Sequence, residues 1–414
     1  MAPGHGRRSA AWWWIGYWGF CPIDFKDSGR WSVRILVVTN LYPPQNLGGF
    51  GLCLQRLAEG LEERGHAVMV LSSDQPYLGA GGASQAVQRG LQLLGSYEGG
   101  LSNLPEGPER QHRIRHNRDQ IALAIQHWQP DAALVGNLDL LGVETLHQLL
   151  DAGLPCVQHV GFLGPPFPLN QFPWSHQARY GMACASGEVK RTLLKLGFPV
   201  AEAPVVYPPL ALGMDRAQLC QGSDGEEPLR VGYCGLLMAS KGVHRLLEAA
   251  ASLRQQGTSV QLLIAGKAFS IEYQQQLQRF AQTAGLHNQV NWLGFLEPER
   301  LSTFYGKLDL LVFPSIYPES FGMVVAEAMA HGVVPISTGV GGAFEVITHG
   351  RNGWLIEPDD AGSLASALRH AATLPRSALR QLGKRAQHDA QVRYSQTRSV
   401  DELERWLLEH PKIN

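Results

Sequence analysis

Hydrophobic positions along the chain alternate between two textures. Short, nearly continuous apolar runs are separated by longer segments in which apolar residues recur every three or four positions. The first texture predicts strands buried on both faces, and the second predicts amphipathic helices. Val33-Arg34-Ile35-Leu36-Val37-Val38-Thr39 predicts an opening strand. Leu54, Leu57, Ala58 and Leu61 fall at i, i+3, i+4 and i+7 and predict a helix that Gly65 stops. Ala67–Leu71 predicts the next strand, which completes a βαβ unit. Ile114, Ile121, Ile125 and Trp128 predict a further helix, followed by strands at Ala132–Val135, Cys156–Val160 and Met182–Ala185. Between Gly79 and Pro108 the chain is rich in Gly, Gln, Ser and Pro; it reads as a long functional loop enclosing a helix, or as a mobile insertion.

From Pro204 to Glu227 the texture turns to Pro, Gly and acidic residues, as in an interdomain linker, and then the alternation restarts. Strands are expected at Leu229–Cys234, Val260–Ala265, Val290–Leu293, Leu310–Phe313 and Val333–Ser337. Helices are expected at Val243–Gln256, Ile271–Ala284, Pro298–Lys307, Met323–His331 and Ala361–Ala372. Strand alternating with helix in both halves predicts an α/β protein with two doubly wound parallel sheets. Ligands of such sheets sit at the carboxyl ends of strands, so the cleft between two such domains is the expected site. The expected division is an extension over 1–32, a first Rossmann-like domain over 33–215, a second over 216–390, and a helix over 391–414 that crosses back to the first domain.

With 414 residues, 44% of them hydrophobic and 17% charged, the chain can bury the two cores this division needs. Its formal net charge of −1 gives no global field toward nucleic acid or anionic lipid. The six cysteines form no CxxC pair and no Cys/His cluster of zinc-ligand spacing, which fits buried, reduced thiols in a cytoplasmic compartment. Ahead of Val33 lie Arg7-Arg8 and the aromatic run Trp12–Phe20. That run is too short to span a bilayer and no A-x-A site follows it, so the extension reads as disordered or loosely attached, and dispensable.

Four glycine-bearing loops follow predicted strands. Gly48-Gly49-Phe50-Gly51 lies between the first strand and first helix, where backbone amides and a helix start suit an anion; an ordinary tight turn reads equally well. Its spacing is not the GxGxxG dinucleotide fingerprint, and no acidic residue ends the second strand. Gly235-Leu236-Leu237-Met238-Ala239-Ser240-Lys241-Gly242 sets a lysine at the mouth of a βα loop, suited to a diphosphate, although a lone surface lysine would look the same. Glu319-Ser320-Phe321-Gly322-Met323-Val324-Val325-Ala326-Glu327 puts one carboxylate before a helix, free backbone amides at Phe321, Gly322 and Met323, and a second carboxylate a turn further in. At about 1.5 Å of rise per residue, that one segment can touch several parts of an extended ligand; amides suit phosphates and carboxylates suit sugar hydroxyls. A capping Glu followed by a solvated helix Glu is the plainer reading of such a pair. Gly339-Val340-Gly341-Gly342-Ala343-Phe344-Glu345 reads as a further anion-friendly loop on the same sheet.

Taken together these residues resemble the retaining GT-B glycosyltransferases that carry an E-x7-E motif, the family 4-like "glycosyl transferases group 1". Glu319 and Glu327 match that motif, and Ala326-Glu327-Ala328-Met329-Ala330 and Gly332-Val333-Val334-Pro335 continue it. Gly341-Gly342 with Glu345, and Asn352-Gly353, match the family's pattern beyond the motif. Gly48-Gly49 matches the family's N-terminal loop, and Gly294 its strand-end glycine near the nucleotide base. The resemblance covers roughly residues 33–390. It implies that the chain moves a sugar from a nucleotide-diphosphate-sugar to a glycan, lipid-linked or small-molecule acceptor, with retention of anomeric configuration. Glu319 would then hold hydroxyls of the transferred sugar, Glu327 the ribose, Lys241 the departing diphosphate, and His159 the sugar from the first domain. Without the resemblance, His159 reads as a satisfied strand-end histidine.

The resemblance also implies that the nucleotide-sugar is a co-substrate, that no cofactor is needed, and that lysine and helix dipoles take the place of a metal. Asp131 and Asp359-Asp360 stand without metal-ligand partners in the sequence. One departure is Leu236, where the family often carries an arginine that shares the phosphates with the lysine; Arg230 or Lys267 are the candidates to compensate. Arg110, Arg113, Arg115 and Arg118, with His112 and His116, read as a solvated helix face, or as a patch for a phosphorylated or lipid-linked acceptor at the cytoplasmic membrane face. An oxidoreductase, a sugar-nucleotide epimerase or a phosphorylase would share the fold but not the motif set. A catalytically idle relative acting as a binding or scaffold subunit is the alternative that Leu236 keeps open.

Overall fold

The computed structural model describes residues 32–81, 86–98, 100–210 and 228–409. The aromatic extension, with Cys21, and most of the expected linker, with Cys220, lie outside the described residues. The first domain runs β1 (Arg34–Val38), α1 (Gly49–Glu63), β2 (Ala67–Ser73), β3 (Val87–Leu91), a small antiparallel pair β4 (Gly95–Ser96) and β5 (Ser102–Asn103), α2 (Pro108–Trp128), β6 (Ala132–Val135), α3 (Glu144–Asp151), β7 (Cys156–Val160), β8 (Tyr180–Cys184) and α4 (Gly187–Lys195). The second runs β9 (Leu229–Cys234), α5 (Val243–Gln255), β10 (Val260–Ala265), α6 (Ile271–Thr283), β11 (Val290–Gly294), α7 (Pro298–Gly306), β12 (Leu310–Phe313), α8 (Met323–Ala330), β13 (Val334–Ser337), β14 (Trp354–Leu355), α9 (Ala361–Thr373) and α10 (Arg376–Tyr394).

Each domain holds a six-stranded sheet, ordered β3-β2-β1-β6-β7-β8 and β11-β10-β9-β12-β13-β14. All strand pairs in both are parallel. In each sheet the chain starts in the middle, winds to one edge, returns to the middle and winds to the other. The winding direction switches between β1 and β6 in the first sheet and between β9 and β12 in the second, which are the places where such folds open a crevice. Helices on both faces explain the continuous apolar runs: Ile35 through Val38 and Leu310 through Val312 have no exposed surface at all.

The Gly79–Pro108 stretch departs from its expectation of a loop with an internal helix. Its described part supplies β3, which completes the first sheet, and the β4–β5 pair. β3 reads VQRGL and is half-buried over most of its length at the sheet edge, so it carries no apolar run to announce it. After α10 the chain returns to the first domain as α11 (Gln396–Glu409), whose Val400, Leu403 and Leu407 pack with Leu54, Leu57 and Leu61 of α1. Gly60 of α1 lacks the Cβ that would strike Val400, and His66 meets Glu404 at 2.9 Å. Cys53, Cys156, Cys184 and Cys234 are free thiols, and burial pushes Cys53, Cys184 and Cys234 up to about 12.

Candidate active site

The second domain builds its half of the site where its sheet switches direction. The loop after β9 turns through Ala239–Lys241 into Gly242, whose φ of +70° is left-handed. A Cβ at Gly242 would strike the Pro314 carbonyl, so glycine lets this loop lie against the one leaving β12. The amide of Ile316 donates to the Ser240 carbonyl at 2.8 Å and closes the two loops together. Lys241 is thereby brought to Glu319, Nζ to Oε1 at 2.6 Å, and the Ser315 hydroxyl donates to the same oxygen at 2.7 Å. Side-chain exposures of 24% and 17% make this a sheltered pair at the mouth of the crevice rather than a surface one. Lys241 Nζ also sits 5.8 Å from the centre of the Phe313 ring.

Glycines at the ends of β9, β10 and β11 form a stepped floor beside this pair. Gly266 would drive a Cβ into the Gly235 carbonyl, and its amide donates to the Gly294 carbonyl at 2.7 Å. Gly235 and Gly294 stand in the stretches singled out in the sequence, whereas Gly266 follows its strand without a motif. Glu327 lies on α8 in a half-buried position and accepts from the Tyr305 hydroxyl at 3.0 Å. Burial raises the Glu327 carboxyl above its ordinary range, with the Arg56 guanidinium and that hydrogen bond opposing the rise. Tyr305, deep in α7, gave no sign of this partnership in the sequence.

Phe321 is 2% exposed and packs with Tyr207 and Tyr394, so its backbone, and not its ring, is what could meet a ligand. Two sequence expectations for this domain are corrected by the contacts. Gly341 and Gly342 serve backbone packing instead of offering an anion cradle. Cβ atoms there would collide with Glu319 and Ser320, and the Glu319 amide and carbonyl are held by Val340 and Gly342 at 3.1 and 2.7 Å. Arg230 is at the opposite end of β9 from the site and pairs with Asp309, so it does not stand in for the family's arginine. Lys267, after Gly266, is exposed on the site's side of the sheet, and Leu236 is 46% exposed beside it.

The first domain contributes the facing half, again at its switch point. Gly48, with φ of +77°, precedes α1, and Phe50 in the helix's first turn stacks on His159 at 5.8 Å and meets Phe162 at a tilt at 5.3 Å. Gly161 makes room for that ring, since a Cβ there would occupy its place. Phe50, His159, Gly161 and Phe162, with Asn137 and Asp139 after β6 and Gln158 on β7, line a cavity of about 200 Å³. His159 is buried on β7; its Nε2–H donates to the Val206 carbonyl at 2.9 Å, while Nδ1 has no hydrogen-bond partner among the described residues. Burial lowers its pKa, which favours the neutral ring with Nδ1 as a buried acceptor. Asn40 donates to the Tyr97 hydroxyl at 2.7 Å and Tyr97 to Asp139 at 2.9 Å, fixing the carboxylate that borders the cavity. The two halves touch where Gly49 meets the Met323 sulfur: a Cβ on Gly49 would lie 2.7 Å from it.

The remaining charged residues singled out in the sequence are engaged elsewhere. Asp131 pairs with Arg34, Asp359 with Arg245, and Asp360 caps α9. On α2, Arg110 pairs with Glu106, Arg113 with Glu109, and His116 with the Gly90 carbonyl, which leaves Arg115 and Arg118 as its exposed cations among these. No helix among the described residues is long and apolar enough to cross a membrane.

Residues 221–389 match the family model described as "Glycosyl transferases group 1". The fold is GT-B, and its second domain carries a glycosyl transferases group 1 domain. Over 394 residues the chain is 25% identical to the glycogen synthase of Mycobacterium tuberculosis, covering 84% of this chain and 88% of that protein. Its fold is similar to that of Anabaena Alr3699/HepE in complex with UDP and glucose, with a TM-score of 0.68 at 22% identity, over 91% of this chain and 99% of the other. A glycosyltransferase from Rickettsia africae gives a TM-score of 0.72 at 17% identity over 92% and 99%.

Proposed function

We propose that this glycosyltransferase moves a hexosyl residue from a nucleotide-diphosphate-sugar to a hydroxyl group of a neutral acceptor, with retention of anomeric configuration. The observation that carries the reading is the Lys241–Glu319 pair at the crevice of the second sheet, in a chain whose first sheet opens its own cavity beside the Gly49–Met323 contact. The donor would lie along the stepped glycine floor with its diphosphate at Lys241 and the amides of Gly322 and Met323. Glu319 would exchange its lysine partner for sugar hydroxyls, and Glu327 would take the ribose. Likeness to a fold solved with UDP and glucose supports the donor class.

In the reaction the bond from C1 to the diphosphate oxygen breaks, and the acceptor oxygen bonds to C1 on the same face. The acceptor's proton passes to the departing phosphate. Positive charge gathers at C1 and negative charge on the diphosphate; Lys241 and the start of α8 meet the second without a metal ion. The cavity favours a neutral acceptor. Its ionisable lining groups are Asp139 and a histidine that burial keeps uncharged, so a phosphate or carboxylate would meet repulsion there. Asn137 and Asp139 offer polar contacts to hydroxyls, and Phe162, 47% exposed, offers a flat apolar face.

Calorimetric titration with UDP, GDP and ADP tests the donor half. Lys241→Ala should weaken the best of these by about tenfold or more, as loss of a charge-assisted contact requires, and the wild-type affinity should fall with added salt. Equal affinity in the variant would remove Lys241 from the site. Wild-type turnover should persist in excess EDTA; activity that returns only with Mg²⁺ or Mn²⁺ would reject the metal-free mechanism.

A further inference from the structure

Glu345 closes the loop after β13, yet its carboxylate reaches out of its own domain. Oε2 accepts the Gly187 amide at 2.9 Å and Oε1 the Glu188 amide at 2.6 Å, so it sits astride the N-terminus of α4 in the first domain. The Tyr207 hydroxyl donates to Oε2 at 3.1 Å, and Arg191 lies 3.4 Å from Oε1 while also pairing with Glu188 at 2.7 Å, which offsets the crowding of the two carboxylates. Gly187 has no Cβ; one built there would stand 2.9 Å from the Glu345 oxygen. Beside it Ser186, which caps α4 by accepting from the Val189 amide at 3.1 Å, donates its hydroxyl to the Ser320 carbonyl. Ser320 follows Glu319 directly, and the Gly341–Gly342 segment ahead of Glu345 holds the Glu319 backbone from the other side.

Ser186 therefore fastens the start of α4 directly to the loop that carries Glu319, and Glu345 fastens it to the neighbouring loop that holds the Glu319 backbone. An aromatic trio joins them: Tyr207, Phe321 and Tyr394 meet edge and face at 5.0 to 5.5 Å, and the Tyr394 hydroxyl donates to the Glu345 carbonyl at 3.4 Å. Tyr207 belongs to the segment that leaves the first domain and Tyr394 ends the helix from which the chain returns, so the trio marks both crossings. Burial, then the Glu345 carboxylate, raises the Tyr207 phenol, which keeps its proton and remains a donor.

We propose that Glu345 is a positioning residue: by clasping the N-terminus of α4 it sets the Glu319 loop against the cavity of the first domain and so fixes the geometry in which donor and acceptor meet. The proposal rests on the transfer reaction proposed above. Nucleotide binding needs the second domain alone, whereas transfer needs both domains in register. Loosening the clasp should therefore spare the first and damage the second.

Three variants separate the possibilities: Glu345→Ala, Glu345→Gln, and Gly187→Ala, which leaves the carboxylate in place but crowds it with a methyl group. Expected for Glu345→Ala and Gly187→Ala is a fall in kcat of about ten- to a hundredfold, the scale set by a misplaced reacting group. Affinity for whichever of UDP, GDP or ADP the wild type binds best should stay within about twofold. Glu345→Gln, keeping one acceptor oxygen, should recover part of the rate. Gly187→Ala is the control against a purely structural role, because alanine in a first helical turn raises helix stability; a slower enzyme with an unchanged or higher Tm is the signature of positioning. Unchanged kcat in both alanine variants would overturn the proposal, as would loss of nucleotide affinity in step with kcat.

Amide exchange read by mass spectrometry judges the clasp apart from the reaction. In Glu345→Ala, exchange should rise in the first turn of α4 and in Glu319–Gly322 across the cleft. If the wild type transfers no sugar, the reading of the reaction fails while this measurement still decides the clasp; exchange unaltered at Glu319–Gly322 overturns it.

Discussion

Glu319 shows how one side chain is prepared for an exchange of partners. In this structure one oxygen of its carboxylate, Oε1, is engaged by both the Lys241 ammonium and the Ser315 hydroxyl. Binding a diphosphate at Lys241 would draw that ammonium away and free the carboxylate for sugar hydroxyls, so the pair satisfies itself until donor arrives. Glu327 has the opposite character. Burial raises its carboxyl above the ordinary value of 4.5, so the folded chain keeps a proton that the unfolded chain has shed. That contribution is fully present below about 4.5 and is lost as pH climbs through the raised value. Glu327→Gln keeps an oxygen for the Tyr305 hydroxyl and carries no charge. Its Tm should exceed that of the wild type at pH 8, with the gain vanishing toward pH 4.5, while nucleotide affinity falls. Scanning calorimetry at the two pH values with a UDP titration checks this; a variant less stable than wild type at pH 8 would contradict it.

His159 was ambiguous in the sequence and depended on the resemblance for a role. What distinguishes it is a contact no local pattern carries, the Val206 carbonyl that takes Nε2–H and leaves Nδ1 as acceptor. Glu345 is the stronger case. As the last residue of a Gly-rich loop it read as part of an anion cradle, and its partners lie some 150 positions earlier, in another domain. Pattern along the chain carries no information about such pairings.

At the scale of elements, the central strands were legible because burial on both faces leaves few polar residues in them. β1, β6, β9, β10, β12 and the second-domain helices α5 to α9 fall within a residue or two of their expected bounds, whereas α2 begins six residues ahead of Ile114 and the short α3 and α4 had no expectation. Edge elements were not: β3 and the two-residue β14 need few apolar side chains, so they leave no run. Loop function was misjudged where glycine serves packing. Gly242 is the most exacting, being both left-handed and pressed against the Pro314 carbonyl. Gly242→Ala should cost about 1–3 kcal/mol, as a strained backbone site does, and should part the β9 and β12 loops. Nucleoside diphosphate affinity should then fall together with Tm. Full affinity in a calorimetric titration of that variant would show that the loops do not need this contact to hold Lys241 in place.

At the scale of the molecule, two sheets of the same winding order each open a crevice at their switch point, and the chain crosses between them near Tyr207 and again after Tyr394. α11 ties the end of the chain to α1, so both crossings are anchored in the first domain. The central claim is that the two crevices form one site for sugar transfer with retention. The most direct test incubates the wild type with a panel of UDP-, GDP- and ADP-sugars and a set of neutral glycosides and polyols, and reads the anomeric configuration of the product by NMR. Glu319→Ala serves as the control. One donor should yield a product with the donor's own configuration, and Glu319→Ala should make it about a hundredfold or more slower, as removal of a group acting on the transferred sugar predicts. A product of inverted configuration, or one formed at the wild-type rate by Glu319→Ala, would contradict the account.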